Sequence, residues 1–177
     1  MIKSKKDYRL YLKEDLKAHK IARWNWYLRY RFPIVHYQRT LRKVEYNMNC
    51  KKGILNKIYL KCLEGSLINQ GVKLGFSIGR NVFGPGLCLA HWGSIVVHKS
   101  TEVGENCKIH SAVNIGIKKG KCPVIGNNVY IGPGAKLFGG ITIGDNVKIG
   151  ANAVVNKDVP SNVTVVGIPA RVVPVKQ

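Results

Sequence analysis

The sequence predicts a mainly β protein, a prism of short parallel strands preceded by a short α-helical N-terminal region. Three observations carry that expectation: an aliphatic residue recurs every six positions from Val97 onward, glycine commonly follows it, and helical periodicity ends before the repeat begins.

The N-terminal region reads as helical from its start. Ser4, with Asp7 three positions later, is a capping-box-like opening, and Tyr8, Leu10, Tyr11, Leu12 and Leu16 supply an approximate apolar stripe. Pro33 separates this segment from a second helix near residues 34 to 47, and Gly53 separates that from a third. Helical patterning is expected to stop at Gly65. The expected division is therefore residues 1–64 as a basic, aromatic-rich helical region and residues 65–177 as the β domain.

In the β domain the lead positions are Val97, Val103, Ile109 and Ile115, then, after an insertion, Ile125, Ile131, Leu137, Ile143, Ile149 and Val155. Small or aliphatic residues stand four places after a lead, as at Cys107, Val113, Val129 and Ala135. Flat strands of about six residues, three to a coil, stack such lead side chains inward, and glycine is expected to supply the turn torsions. The period breaks around Phe83 to His91 and again at "GIKKGKCP", residues 116 to 123. Insertions in a solenoid map to loops on one face, often the binding face, so both breaks mark places for chemistry.

Composition narrows the classes. The chain has 177 residues and 45% hydrophobic content, enough for one ordinary core with an appendage. Its five cysteines are odd in number and include no C-x-x-C pair, which argues against a disulfide framework and a zinc knuckle and favours a reducing cytoplasm. No apolar run approaches the roughly 18 residues of a membrane span, so neither a spanning helix nor a signal peptide is expected. Net charge is +20, and residues 1 to 61 hold 17 Lys/Arg against four acids. Such a bias favours anionic partners. Residues 20 to 46 interleave these cations with Trp24, Trp26, Tyr27, Tyr30 and Phe32. This pattern fits peripheral contact with an anionic membrane, and it also fits packing of the helices onto the first coils or across an oligomer. No nucleic-acid-binding motif accompanies it, and no nucleic acid partner is expected.

The repeat resembles that of the hexapeptide-repeat, left-handed parallel β-helix acyltransferases over roughly residues 70 to 174. Such a fold departs from the usual right-handed crossover. Within that family the segments "GPGLCLAHWGSIVV", "VNIG", "IGNNVYIGPGAKLFGGITIGDNVKIGANAVVNKDVP" and "VVGIPARVV" are most similar to serine O-acetyltransferases and the sugar O-acetyltransferases of polysaccharide gene clusters. The likeness implies an acetyl-CoA-dependent O-acetyltransferase working as a cytoplasmic homotrimer, with His91 as general base. An imidazole, with an unperturbed pKa of about 6.5, suits that role. The likeness also implies that acetyl-CoA lies along Gly132, Pro133, Gly150 and Ala151, with Lys157 and Arg171 meeting its phosphates. Direct transfer is expected, in preference to an acyl-cysteine route through Cys88 or Cys122.

Four departures bear on the acceptor. The serine enzymes' aspartate about fifteen residues before the histidine falls near Phe76, and the aspartate directly before it falls on Ala90. Their substrate-loop histidine falls on Cys122 and its preceding arginine on Lys121. Lost countercharges disfavour an amino acid and favour a saccharide or lipid-linked saccharide acceptor on the inner leaflet, in surface polysaccharide biosynthesis. Trp92, His110, Asn114 and Lys121 are then the expected substrate contacts. Serine O-acetylation for cysteine biosynthesis is the alternative, and an inert scaffold or anionic-surface binding protein is a third. No metal is expected, because the histidine spacings do not match the three-histidine zinc site of γ-class carbonic anhydrases. His98, one position after the lead Val97, reads as coil surface.

Overall fold

A computed structural model describes residues 1–173; the last four residues of the expected β domain lie outside the described residues. Helix α1 (Lys5–Ala18) opens as its sequence predicts: Ser4 Oγ accepts the Asp7 N–H at 3.0 Å, and the Asp7 carboxylate accepts the Lys3 N–H at 2.9 Å. A short α2 (Leu28–Arg31) leads to α3 (Pro33–Cys50), whose first residue is proline, where no intrahelical donor is needed.

Helix α4 (Ile54–Leu74) overturns the expected boundary by running through Gly65 and ending at Gly75, in left-handed backbone at φ 77°. Gly65 is exposed, and a mid-helix glycine costs about 1 kcal/mol. Packing of Leu63, Leu67 and Leu74 against the core offsets that cost.

The strands that follow are β1 (Phe76–Ile78), β2 (Cys88–Leu89), β3 (Ile95–Val97), β4 (Glu102–Val103), β5 (Lys108–Ile109), β6 (Asn114–Gly116) and β7 (Val124–Ile125). They continue as β8 (Tyr130–Ile131), β9 (Lys136–Phe138), β10 (Thr142–Ile143), β11 (Lys148–Ile149), β12 (Val154–Val155), β13 (Thr164–Val166) and β14 (Arg171–Val173). The result is a three-sided β-solenoid. Its first face stacks β1, β3, β6, β9 and β12; its second stacks β4, β7 and β10; its third stacks β2, β5, β8, β11 and β13, with β14 folded back antiparallel on β13.

Parallel register aligns the lead residues in columns that fill the prism. Val97, Ile115, Leu137 and Val155 line the first face, Val103, Ile125 and Ile143 the second, and Leu89, Ile109, Ile131, Ile149 and Val165 the third. None is more than 7% exposed, and each fully buried aliphatic contributes about 1.5–3 kcal/mol.

Corner geometry corrects the expected role of the repeat glycines. A Cβ on Gly132 would stand 2.9 Å from the Gly150 carbonyl carbon, so glycine is required by the approach of the next coil and not by its torsions. Positive φ is taken by Asn106, Asn128, Asn146 and Asn162, at 55° to 63°, and at other turns by glycines such as Gly93, Gly134 and Gly139. Asparagine tolerates this conformation, and their side chains form a ladder with links of 3.1, 3.0 and 2.8 Å.

The helical arm is clamped to the first coil by a buried ionic cluster. Arg42 donates to Asp15 at 2.9 Å, to Glu45 at 3.1 Å, and to the carbonyls of Phe83 and Gly84 at 2.9 and 2.7 Å. Asp15 also accepts the N–H groups of Gly86 and Leu87, both at 2.9 Å. Burial works against the Arg42 charge, but the two carboxylates outweigh it and hold the guanidinium above its ordinary pKa. Trp24 stacks on His36 and lies under Arg39, whereas Trp26, Tyr27 and Tyr30 stay exposed. The aromatic arm is thus only partly spent on packing.

Candidate active site

His91 follows β2 at the corner between the third and first faces, and its side chain is exposed. The backbone there is held from several sides. Gly93 N–H donates to Leu74 at the end of α4 (2.9 Å), Ile95 N–H to Gly75 (2.9 Å), and Ala90 N–H to Ile109 of the next coil (2.8 Å). From α3, the buried Gln38 donates to the Leu87 carbonyl at 2.7 Å, and its Oε1 lies 2.6 Å from His19 Nε2. His19 therefore donates. Burial pushes its pKa down, although the bond to Gln38 acts the other way.

The register of β2 on β5 places His110 beside Ala90. The His91 and His110 rings are 5.8 Å apart between centroids and tilted by 44°; Tyr130 continues the ladder 5.2 Å from His110. His110 Nε2 is shielded from solvent and has no partner among the described residues. Burial, then the neighbouring Lys108 and His91, lower its pKa. No carboxylate belongs to the ladder: Ala90 precedes His91, and Phe76 is buried edge-on against Tyr37, 5.1 Å between centroids.

The same corner continues down the prism. Registers of β5 on β8 and β8 on β11 carry the His110 column to Gly132 and Gly150, and the neighbouring column from Ser111 to Pro133 and Ala151. Gly132 and Gly150 donate their N–H groups to the next coil, both at 2.8 Å, and Pro133 already accepts from Asn152 N–H at 2.8 Å. Of the four, Ala151 is the exposed one with no such bond. Trp92 is 67% exposed beside His91. Asn114 opens β6, its amide 3.4 Å from the Ala112 carbonyl.

Lys121 and Lys157 lie elsewhere, at the corner between the first and second faces. Arg171 is exposed on β14, opposite Val166. One protomer therefore joins His91, His110 and the glycine column but not the two lysines.

A family model described as bacterial transferase hexapeptide (six repeats) matches residues 122–157. The serine acetyltransferase of Synechococcus elongatus is 41% identical over 117 residues, 64% of this chain and 44% of its own length. Among solved structures, Neisseria gonorrhoeae serine acetyltransferase in complex with serine superposes with a TM-score of 0.72 at 30% identity, covering 97% of this chain and 71% of that one. The chain belongs to the hexapeptide-repeat serine acetyltransferase family. A serine acetyltransferase solved in complex with CoA also matches, with a TM-score of 0.66 at 26% identity over 96% of this chain and 71% of its own. The chain spans about half the length of the curated relatives it matches, 44% and 62% of the first two.

The corner joins His91 to His110, with Ala90 and not an acidic residue directly before His91. A cavity of about 610 Å³ lies over Tyr11, Phe83 and Val103 on the second face, and His91 is not part of it. No group of three His, Cys, Asp or Glu side chains that could hold a metal ion occurs among the described residues. Sequence reasoning missed Gln38 and His19, because nothing local links α3 to Leu87, 49 residues away. It also missed that His98 is half-buried and paired with Cys122.

Proposed function

We propose that the protein is an acetyl-CoA-dependent O-acetyltransferase in which His91 is the general base. The observation that carries this reading is the exposed His91 on a backbone pinned by α4, α3 and the next coil, in a fold shared over nearly the whole chain with serine acetyltransferases. His91 takes the acceptor's hydroxyl proton as the oxygen attacks the thioester carbonyl carbon. The tetrahedral intermediate collapses, and the proton goes from the imidazole to the departing CoA thiolate. His110 faces His91 at 5.8 Å between ring centroids and limits the ways it can turn.

The relatives favour L-serine as acceptor, reversing the order expected from the residue departures alone. A saccharide acceptor is the second reading. It is supported by the uncharged Ala90 and Phe76 and by the exposed indole of Trp92, a stacking platform. A homotrimer completes the proposal, since Lys121 and Lys157 can join the His91 corner only from another copy. Ile54, Leu55, Ile58, Ile68 and Val72 leave an apolar face of α4 exposed, which also supports association.

The test is CoA release from acetyl-CoA with L-serine and with a panel of sugars, beside sedimentation of the purified chain. Turnover with serine supports the first acceptor and turnover with a sugar alone the second. Absence of CoA release with every acceptor, together with no CoA binding, would reject the enzyme in favour of a scaffold.

A further inference from the structure

The corner between the first and second faces carries a feature beyond the role proposed for Lys121 at another copy's His91 corner. Lys118 and Lys121 exchange backbone hydrogen bonds of 2.9 and 3.1 Å, and Lys119 and Gly120 take positive φ of 51° and 75°. The inserted "GIKKGKCP" segment is thus a tight two-residue hairpin. It rests on the next coil, with Lys118 Nζ 5.2 Å from the Phe138 ring centroid. Lys118, Lys119, Lys121, Phe138, Gly139 and Asn156 line a cavity of about 300 Å³ with no carboxylate in its wall. Such a wall fits an anionic ligand.

Cys122 follows the hairpin directly, and its Sγ lies 3.1 Å from His98 Nδ1. The Ser100 N–H reaches the same nitrogen at 3.2 Å, so Nδ1 is an acceptor and the thiol is the donor. The thiol proton therefore has a base beside it. Other cysteines differ. Cys107 is buried and its thiol pushed up to about 12, burial also raises Cys88, and Cys62 lies exposed on α4.

We propose that Cys122 is a covalent modification site for anionic low-molecular-weight disulfides, activated by His98 and addressed by the lysines of the adjoining 118–121 hairpin. The thiol proton passes to His98 Nδ1, and Cys122 Sγ attacks one sulfur of the disulfide. A mixed disulfide forms on Cys122, while the second sulfur leaves as a thiolate and takes the proton from the imidazole. Cys122 is oxidised, the leaving thiol is reduced, and no other reagent is consumed. The exchange itself consumes no acetyl-CoA.

The test mixes the reduced full chain with coenzyme A disulfide, a polyphosphate disulfide, and separately with cystamine, a cationic one. Adduct formation is followed in time by intact mass, and the modified peptide is then identified. The expected result is a fast single adduct on Cys122, formed at least about tenfold faster with coenzyme A disulfide than with cystamine. Cys122→Ser removes the fast phase, and His98→Asn slows it at least about tenfold. The triple variant K118Q/K119Q/K121Q loses the anionic preference while still reacting with cystamine. A fast adduct on another cysteine, equal or faster reaction with cystamine, or an unchanged rate in His98→Asn would overturn the proposal. The comparison of two disulfides on the unaltered protein keeps it testable even if a variant fails to fold.

Discussion

His91 and His110 stand one coil apart at a single corner of the prism, ring centroids 5.8 Å apart, with the inner ring's Nε2 shielded from solvent. No carboxylate of the described residues holds His91, and in the proposed mechanism the orienting role falls to the imidazole packed beside it. His110→Ala is expected to lower kcat between about tenfold and about 100-fold, as misplacement of a reacting group does, with KM for acetyl-CoA little changed. It should also shift the pH–rate profile, a readout that loss of packing alone would leave in place.

Arg42 is fully buried between two carboxylates, and removing it leaves both charges unpaired. Arg42→Met is expected to destabilise the protein by about 3–5 kcal/mol in denaturant unfolding. A loss below about 1 kcal/mol, the worth of a surface pair, would show that the cluster does not hold the arm to the coils.

The asparagine ladder makes a graded prediction. Asn128, at φ 56°, both tolerates left-handed backbone and bonds to its neighbours in the coils on either side. Asn128→Ala meets a conformational cost of about 1–2 kcal/mol and also loses the two bonds; Asn128→Gly loses only the bonds. Thermal unfolding should therefore rank the alanine variant below the glycine variant, and both below wild type.

The arm's contact with β2 depends on pH through His19. Its folded pKa lies below the ordinary value, chiefly through burial, so the unfolded chain binds the proton more readily. Stability is then fully present above about pH 6.5 and is lost as pH falls through the lower folded pKa. Urea unfolding at pH 7.5 and 5.5 should show a smaller loss in His19→Gln than in wild type.

How far the sequence could be read follows from the range of each interaction. The six-residue period gave the three columns of lead residues directly, because inward positions repeat at the same interval as the faces. His91 stood out because the period slips there, and His110 because it lies close to one coil away. Gly65 misled, since a glycine looks like a helix stop whether or not leucines beyond it pack. Gly104, Gly126, Gly132 and Gly144 pointed to torsion when their cause is the nearness of the next coil, which only stacked backbones reveal. Gln38 and the Cys122–His98 pair were invisible because their partners are brought together by coiling, 49 and 24 residues apart along the chain.

The most direct measurement of the central claim is acetyl transfer to L-serine by wild type and His91→Ala, with CoA affinity measured on both proteins. Loss of a general base is worth about 10²- to 10⁴-fold, so the expected result is a fall of that order in kcat with CoA binding and unfolding midpoint unchanged. Undiminished turnover in His91→Ala would contradict it.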